Sequence, residues 1–306
     1  MHAPILYSKR NKQTDLIFYG SIFLANQNII YKTIGQSEDN LCFLRSLAKP
    51  LQAAILFDCN IIKDYKITNQ ELAMMAGSHS GTKKHTEILK KLILKHNLKI
   101  KDLKLAPSYP LDTRNFKGRK TKLQNNCSGK HIMMLLMCKY KGFNLDYTNI
   151  NHPLQKLIKK KQEELCKYKS NTTSYDGCGT PLWAIPYKNI IIAYNSLCSD
   201  KKYEPLLNSI QKYPDLFGGY DRLDSELIKL SKGKLFSKVG AGGLVLIRNN
   251  ENKNTVLIKM AHDDNPARKL VCYHILNKLN WIDKKLDLNI YNQQNTIVAT
   301  WQFAVE

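Results

Sequence analysis

The two ends of the chain carry short apolar runs of the kind that form strands, and the long stretch between them does not. Near the start, Ser21-Ile22-Phe23-Leu24-Ala25 and Ile29-Ile30-Tyr31-Lys32-Thr33 flank Asn26-Gln27-Asn28, the pattern of a β-hairpin about an Asn-rich turn. Near the end, Leu244-Val245-Leu246-Ile247, Thr255-Val256-Leu257-Ile258 and Thr296-Ile297-Val298-Ala299-Thr300-Trp301 read as further strands, with Asn249-Asn250-Glu251-Asn252 turning between the first two. From about 59 to 235 the pattern is mainly helical. Thr68-x-x-Glu71 ahead of Leu72-Ala73-Met74-Met75 is a capping box, and residues 84–96, 132–140 and 154–168 have helical periodicity. The expectation is an α+β fold in one unit spanning 1–306, its antiparallel sheet built from about 5–35 and 237–304 with the helical region inserted.

At the seam lies Leu44-Arg45-Ser46-Leu47-Ala48-Lys49-Pro50-Leu51-Gln52, running into Ala53-Ala54-Ile55-Leu56-Phe57. It reads as a buried helix ending near Asp58, with Pro50 in the first turn, where a missing N–H costs little. Residues three apart share a helix face, so the amine of Lys49 is placed to reach the hydroxyl of Ser46, as a serine nucleophile with a lysine base requires. The spacing alone is weak. With 40 Lys and 16 Ser, five Ser-x-x-Lys matches occur, against about two expected from composition. Only this one opens a long apolar segment; the bland reading is an N-cap serine and a surface lysine.

The formal charge of +22 invites a nucleic-acid reading, but Lys outnumbers Arg 40 to 7 and the lysines are spread along the whole length. The residue best suited to bidentate phosphate and guanine contacts is the scarce one. The first ten residues contain no apolar signal core, and the longest apolar run, Ile132 to Cys138, is far shorter than a membrane span. The expectation is a cytoplasmic protein without a membrane segment. Its eight cysteines include no Cys-x-x-Cys pair, so reduced thiols are the default.

The helical middle holds three clusters of unusual loop residues: Gly77-Ser78-His79-Ser80-Gly81, Asn125-Asn126-Cys127-Ser128-Gly129-Lys130-His131 and Asp176-Gly177-Cys178-Gly179-Thr180-Pro181. The first has the form of a helix C-cap and turn. Each of the others presents a cysteine at a tight turn where converging N–H groups can stabilise a thiolate or an anion, although small buried cysteines are the common case. Nearer the C-terminus, Ser237-Lys238-Val239-Gly240-Ala241-Gly242-Gly243 reads as a Gly-rich loop carrying one lysine.

In order, the chain shows Arg45-Ser46-x-x-Lys49-Pro50-x-Gln52, Ser78-His79-Ser80-Gly81 with His85, Asn126-Cys127-Ser128-Gly129-Lys130-His131, His152-Pro153-x-Gln155, Asp176-Gly177-Cys178-Gly179, Pro214 with Gly218-Gly219, Lys238-x-Gly240-Ala241 and Asp263-x-Asn265-x-x-Arg268. This succession closely resembles the asparaginase II family, the Rhizobium-type L-asparaginases, from about residue 5 onward. The Cys-Ser-Gly-Lys-His and Asp-Gly-Cys-Gly motifs carry the specificity. The resemblance implies a fold similar to serine β-lactamases, penicillin-binding proteins and glutaminases, a homodimer, and hydrolysis of L-asparagine to L-aspartate and ammonia. It also implies two Ser-Lys pairs, Ser46 with Lys49 and Ser78 with Lys238, and zinc bound by Cys127, Lys130 and Cys178 in a modulatory or structural role.

A primary amide is a poor electrophile, so acyl transfer through Ser46 is the chemistry to expect. Lys49 serves as base only when neutral, and Lys238 and Arg45 are candidates to supply the charge that favours this. Ser78 then relays protons, or exchanges roles with Ser46. Asp176 is a candidate for the substrate ammonium or for support of the metal ligands, and His131 likewise. Two positions depart from the family pattern: Gly242 stands where an acid usually follows Lys-x-Gly-Ala, and Thr82-Lys83 where Glu-Pro usually follows Ser-His-Ser-Gly. Two other readings compete. A penicillin-recognising enzyme needs Ser-Asp-Asn and Lys-Thr-Gly, and the chain has neither. A non-enzymatic relic, binding nucleic acid through its charge, would show salt-dependent RNA binding.

Overall fold

In the computed structural model, which describes residues 1–114 and 116–305, both ends of the chain meet in one antiparallel sheet. The first strands are β1 (Ala3–Arg10), β2 (Gln13–Asn26), β3 (Ile29–Ile34) and β4 (Leu41–Phe43). Helices follow: α1 (Ala48–Ala53), α2 (Ile61–Asp64), α3 (Asn69–Ala76), α4 (Lys83–Lys95), α5 (Ser128–Lys141) and α6 (Pro153–Cys166). Strands β5 (Thr173–Tyr175) and β6 (Pro181–Pro186) precede α7 (Tyr187–Ser199), α8 (Glu204–Lys212), α9 (Pro214–Phe217) and α10 (Leu223–Leu230). The chain returns through β7 (Leu235–Gly240), β8 (Leu244–Asn249), β9 (Asn254–Met260), α11 (Asn265–Lys278), β10 (Asn289–Tyr291) and β11 (Ile297–Phe303).

The large sheet runs β10-β11-β1-β2-β9-β8-β7, with β3 also paired to β2, while β4, β6 and β5 form a small second sheet. β1 and β3 divide one edge of the long β2, Ala3 standing opposite Gly20 and Ile22 opposite Ile34. β11 closes on β1, with Leu6 opposite Phe303 and Ser8 opposite Trp301. The α+β layout with a sheet from both ends is therefore present.

The central strands are unbroken apolar runs because both of their faces are covered. Side chains alternate between faces, so Phe23, Leu244, Leu246 and Leu257 enter the large core shared with the helices. Ile22, Val245, Ile247, Val256 and Ile258 enter a second core beneath α11. In the helical region the Thr68 capping box forms as expected: Glu71 N–H donates to Thr68 Oγ1 at 3.3 Å and Thr68 N–H to Glu71 Oε2 at 2.7 Å. α5 lies so close to α3 that a Cβ at Gly129 would fall 2.2 Å from Met74 O. This contact fixes the start of α5 beside the end of α3.

Two expectations change. The segment from Ser46 is not one helix but a 3₁₀ turn over Arg45–Leu47, the six residues of α1, and a second 3₁₀ turn over Ala54–Asp58. An α-helix through Ser46 would drive the Pro50 ring into the Ser46 carbonyl four residues earlier, so regular helix starts only beyond it. Lys238 lies not on a loop but in β7, paired opposite Leu246 of β8. Among the described residues no helix is long and apolar enough to cross a membrane.

Candidate active site

The Arg45–Leu47 turn packs against the end of β7, where a Cβ at Gly240 would meet Leu47 Cδ1 at 3.0 Å and Leu44 O at 3.2 Å. This contact brings the Ser46 turn to the strand that carries Lys238. Arg45 itself has φ of 49°, a left-handed conformation uncommon for a residue with a side chain. Such departures collect at functional turns. Ser46 is half-buried, whereas Lys49, Ser78 and Lys238 are buried.

The hydrogen bonds cross the expected pairs. Lys49 Nζ donates to Ser78 Oγ at 2.9 Å and to the carbonyl of Asn126 at 3.0 Å. Among the described residues, no hydrogen bond joins it to Ser46. Lys238 Nζ donates not to Ser78 but to Asp224 Oδ2 at 3.0 Å and to Val239 O at 2.9 Å. It lies 5.2 Å from the Phe217 ring centroid. The cause is local: α10 packs against β7 and supplies a buried carboxylate, while Ser78, just beyond α3, faces the helix that carries Lys49. Burial pushes the Lys238 amine down to about 8; Asp224 opposes this and Lys49 adds to it. Asp224 keeps its second oxygen buried without a partner among the described residues.

The Ser78 turn is pinned from several sides. Its N–H donates to Phe217 O at 2.8 Å, and a Cβ at Gly77 would lie 2.3 Å from the same oxygen. The fully buried His79 accepts at Nδ1 from Gly81 N–H, so its proton is on Nε2, which donates to Ser128 Oγ at 2.9 Å. Ser128 passes its own proton to Leu123 O. His79 is thus a neutral strut between the Ser78 turn and the start of α5, and burial holds its pKa well below the usual imidazole value.

A second cluster forms where α5 starts. Ligand atoms of Cys127, Asp176 and Cys178 lie within 4.8 Å of one another. The enclosed Lys130 donates to Cys178 Sγ at 3.0 Å and to Thr180 Oγ1 at 2.7 Å. Facing sulfurs give the two thiols opposite tendencies, Cys127 raised and Cys178 well lowered. Burial alone would lower Lys130, but Cys178, Cys127 and Asp176 outweigh it and raise its pKa. Two sulfurs, a carboxylate and an amine are a donor set that suits a thiophilic divalent ion such as zinc. Asp176 stands in this cluster beside the three residues that the family resemblance implies as zinc ligands.

Asp176 also joins the two clusters, accepting from Arg45 Nε at 2.8 Å. His131 is fully buried, away from any open cleft. Lys104 N–H donates to the Tyr147 hydroxyl at 2.7 Å, and that hydroxyl gives its own proton to His131 Nδ1 at 2.9 Å. The imidazole therefore carries hydrogen on Nε2, with Cys178 within electrostatic reach. This geometry suits support of the thiols better than contact with a substrate. Asp224 and Tyr147 escape sequence reasoning, and His79 and Thr180, although within the loop clusters, gain their partners from packing rather than from spacing.

Two solved structures are similar to most of the chain at low identity. One is a β-lactamase from Mycobacterium bovis, 10% identical with a TM-score of 0.49, covering 85% of this chain and 94% of its own. The other, from Bacteroides dorei DSM 17855, is provisionally assigned as a β-lactamase; it is 13% identical with a TM-score of 0.44, covering 84% of this chain and 93% of its own. No individually curated protein matches the chain. The family profile described as L-asparaginase II matches residues 7–305, from within β1 to beyond β11, and the chain therefore belongs to that family.

Proposed function

We propose that this hydrolase is an L-asparaginase working through a serine acyl-enzyme, with Ser46 as nucleophile and Ser78 with Lys49 as its proton relay. The observation that carries the reading is the buried 2.9 Å bond from Lys49 Nζ to Ser78 Oγ, with the half-exposed Ser46 three residues before Lys49 in the chain. Ser46 is partly exposed, whereas the relay is shielded from water, where hydrogen bonds and charges act most strongly.

Ser46 Oγ attacks the side-chain amide carbon of L-asparagine, and its proton passes to the Ser78–Lys49 pair. The tetrahedral intermediate collapses with breakage of the C–N bond, the proton returns to the leaving nitrogen, and ammonia departs. Water then cleaves the aspartyl ester and releases L-aspartate and free Ser46. Lys238, with its lowered pKa, serves as the second base. Arg45 suits the substrate α-carboxylate and Asp176 the α-ammonium, their opposite charges held together by the 2.8 Å bond.

Zinc is the ion we assign to Cys127 and Cys178, with Lys130 as a further ligand once it has lost its proton and Asp176 beside them. It would supply a fixed positive charge and tie together the Cys127 and Cys178 loops. His131 favours the thiolate form of Cys178. A homodimer is the proposed assembly, checked by light scattering of the purified protein.

A coupled ammonia assay on L-asparagine and L-glutamine, with and without a chelator, tests the reading. Ammonia should be released from asparagine, and Ser46→Ala should lower the rate by about 10³-fold. A folded protein inert toward both amides would overturn it. Mass spectrometry of a trapped intermediate identifies the acylated serine; a modified Ser78 would exchange the two roles.

A further inference from the structure

Beside the catalytic cluster, Arg45 also lines a cavity of about 390 Å³, with Lys259 among its other walls and none of Ser46, Lys49, Ser78 or Lys238 in its lining. This volume falls in the range of small-molecule sites. Its lining includes Cys42, Tyr187, Ala241 and Gly242 but no Asp or Glu. Two cationic side chains therefore face one space that holds no carboxylate.

Neither cation is fully satisfied. Arg45 uses Nε on Asp176, and among the described residues its two terminal amino groups have no hydrogen-bond partner. Lys259 Nζ donates to Gly242 O at 2.6 Å and Met260 O at 2.8 Å, so one of its three N–H groups remains. The carboxylate that acts on Lys259, Asp263, is already committed: it accepts from Gly242 N–H at 2.8 Å and from Arg268 Nη1 at 2.6 Å. Tyr187 spends its hydroxyl proton on Gln36 Oε1 at 2.8 Å, so it does not compete for an anion.

We infer that this cavity binds a small dicarboxylate, one carboxylate on the free edge of the Arg45 guanidinium and the other on the Lys259 amine. Two separated cations favour two linked carboxylates over a single compact anion. Arg45 offers the paired N–H geometry that carboxylates prefer, and Lys259 a point charge. Burial lowers the pKa of Lys259, with Cys42 and Asp263 opposing; a bound carboxylate would strengthen that opposition. The Arg45 edge is the one assigned above to the substrate α-carboxylate, so dicarboxylate and substrate exclude one another there; the inference does not depend on amide hydrolysis, since binding is read without turnover.

Isothermal titration of the full chain with succinate, the uncharged succinamide and sulfate provides the test. Succinate should bind saturably, with succinamide and sulfate each at least about tenfold weaker. Lys259→Met should weaken succinate by about tenfold or more. So should Ala241→Glu, which places a carboxylate in the cavity while keeping the Lys259 carbonyl contacts. Ser78→Ala should bind like the wild type. The inference is overturned by absence of saturable binding, by equal affinity for succinate and either control ligand, or by loss of binding in Ser78→Ala with both cavity variants unaffected.

Discussion

Lys238 and Lys130 are both buried lysines close to other ionisable groups, yet their amines are driven in opposite directions. Lys238 has one carboxylate, Asp224, and a second lysine nearby, so burial dominates and its pKa falls to about 8. Lys130 has two thiols and Asp176, which together overcome burial and raise it. Burial sets the cost of a charge, and the count of opposing charges decides whether that cost is met. One lysine is prepared to give up its proton near neutral pH. The other is prepared to remain a cation until something displaces its proton, as a metal ion would.

Substitutions can break this contrast, beginning with the largest effect. Lys49→Met removes the amine on Ser78 and should lower kcat by about 10³-fold, whereas Lys130→Met should leave acylation of Ser46 by a substrate analogue detectable by mass spectrometry. Equal loss of acylation in both would erase the distinction between the clusters.

Asp224→Asn removes the group that keeps Lys238 protonated. Its pKa should fall below about 8, and the ascending limb of the pH–rate profile should move to lower pH. A limb that stays in place would show that Lys238 does not govern it. Loss of the buried ion pair should also lower stability in chemical denaturation at pH 7, by up to about 3 kcal/mol.

For the wild-type chain the sign follows from linkage. The unfolded Lys238 titrates near its ordinary value of 10.5 and the folded one near 8, so the unfolded state holds the extra proton between them. The Lys238 contribution to stability should therefore rise by about 3 kcal/mol from pH 8 to 10.5, and be lost as pH falls back through 8. Denaturation midpoints of wild type against Lys238→Met across that window isolate it, since the difference between them should grow with pH in favour of the wild type.

In the other cluster, Cys178→Ser should abolish stoichiometric zinc binding in equilibrium dialysis, and a chelator should lower the melting temperature of the zinc-loaded wild type but not of this variant. The smallest effect belongs to Tyr147→Phe. Losing the hydroxyl that serves Lys104 and His131 should cost about 1 kcal/mol in chemical denaturation and weaken zinc binding slightly.

The sheet was legible because strands covered on both faces leave unbroken apolar runs, as in β8 and β9. The Thr68 capping box was legible because its chemistry is local. Ser46 and Lys49 stood out by spacing, but the same segment hid the effect of Pro50, which holds Ser46 outside regular helix. Lys238 looked like a loop residue because the glycines that follow it mask the end of a strand. Asp224 left no mark at all: it becomes the partner of Lys238 only when α10 lies down on β7, and no spacing rule encodes that contact. The Cys127 and Cys178 turns were visible as motifs, whereas Asp176 as a link between the clusters needed the fold.

The pairing of β1 with β11 has a consequence for how the molecule is made. Leu6 waits for Phe303, and Ile22 of β2 waits for Ile258 of β9, so strands emerging first from the ribosome lack their sheet neighbours until nearly the whole chain has been synthesised. The local hairpins of β1, β2 and β3 can form early, but the edge of β2 that receives β9 stays open through synthesis of α1 to α10. Contacts so distant in sequence close slowly and leave unpaired edges exposed meanwhile. The nascent chain therefore has its longest period of risk before β9 arrives, when the Ser46 turn has been made and β7, which carries Lys238, still lacks the strands that join it to the sheet.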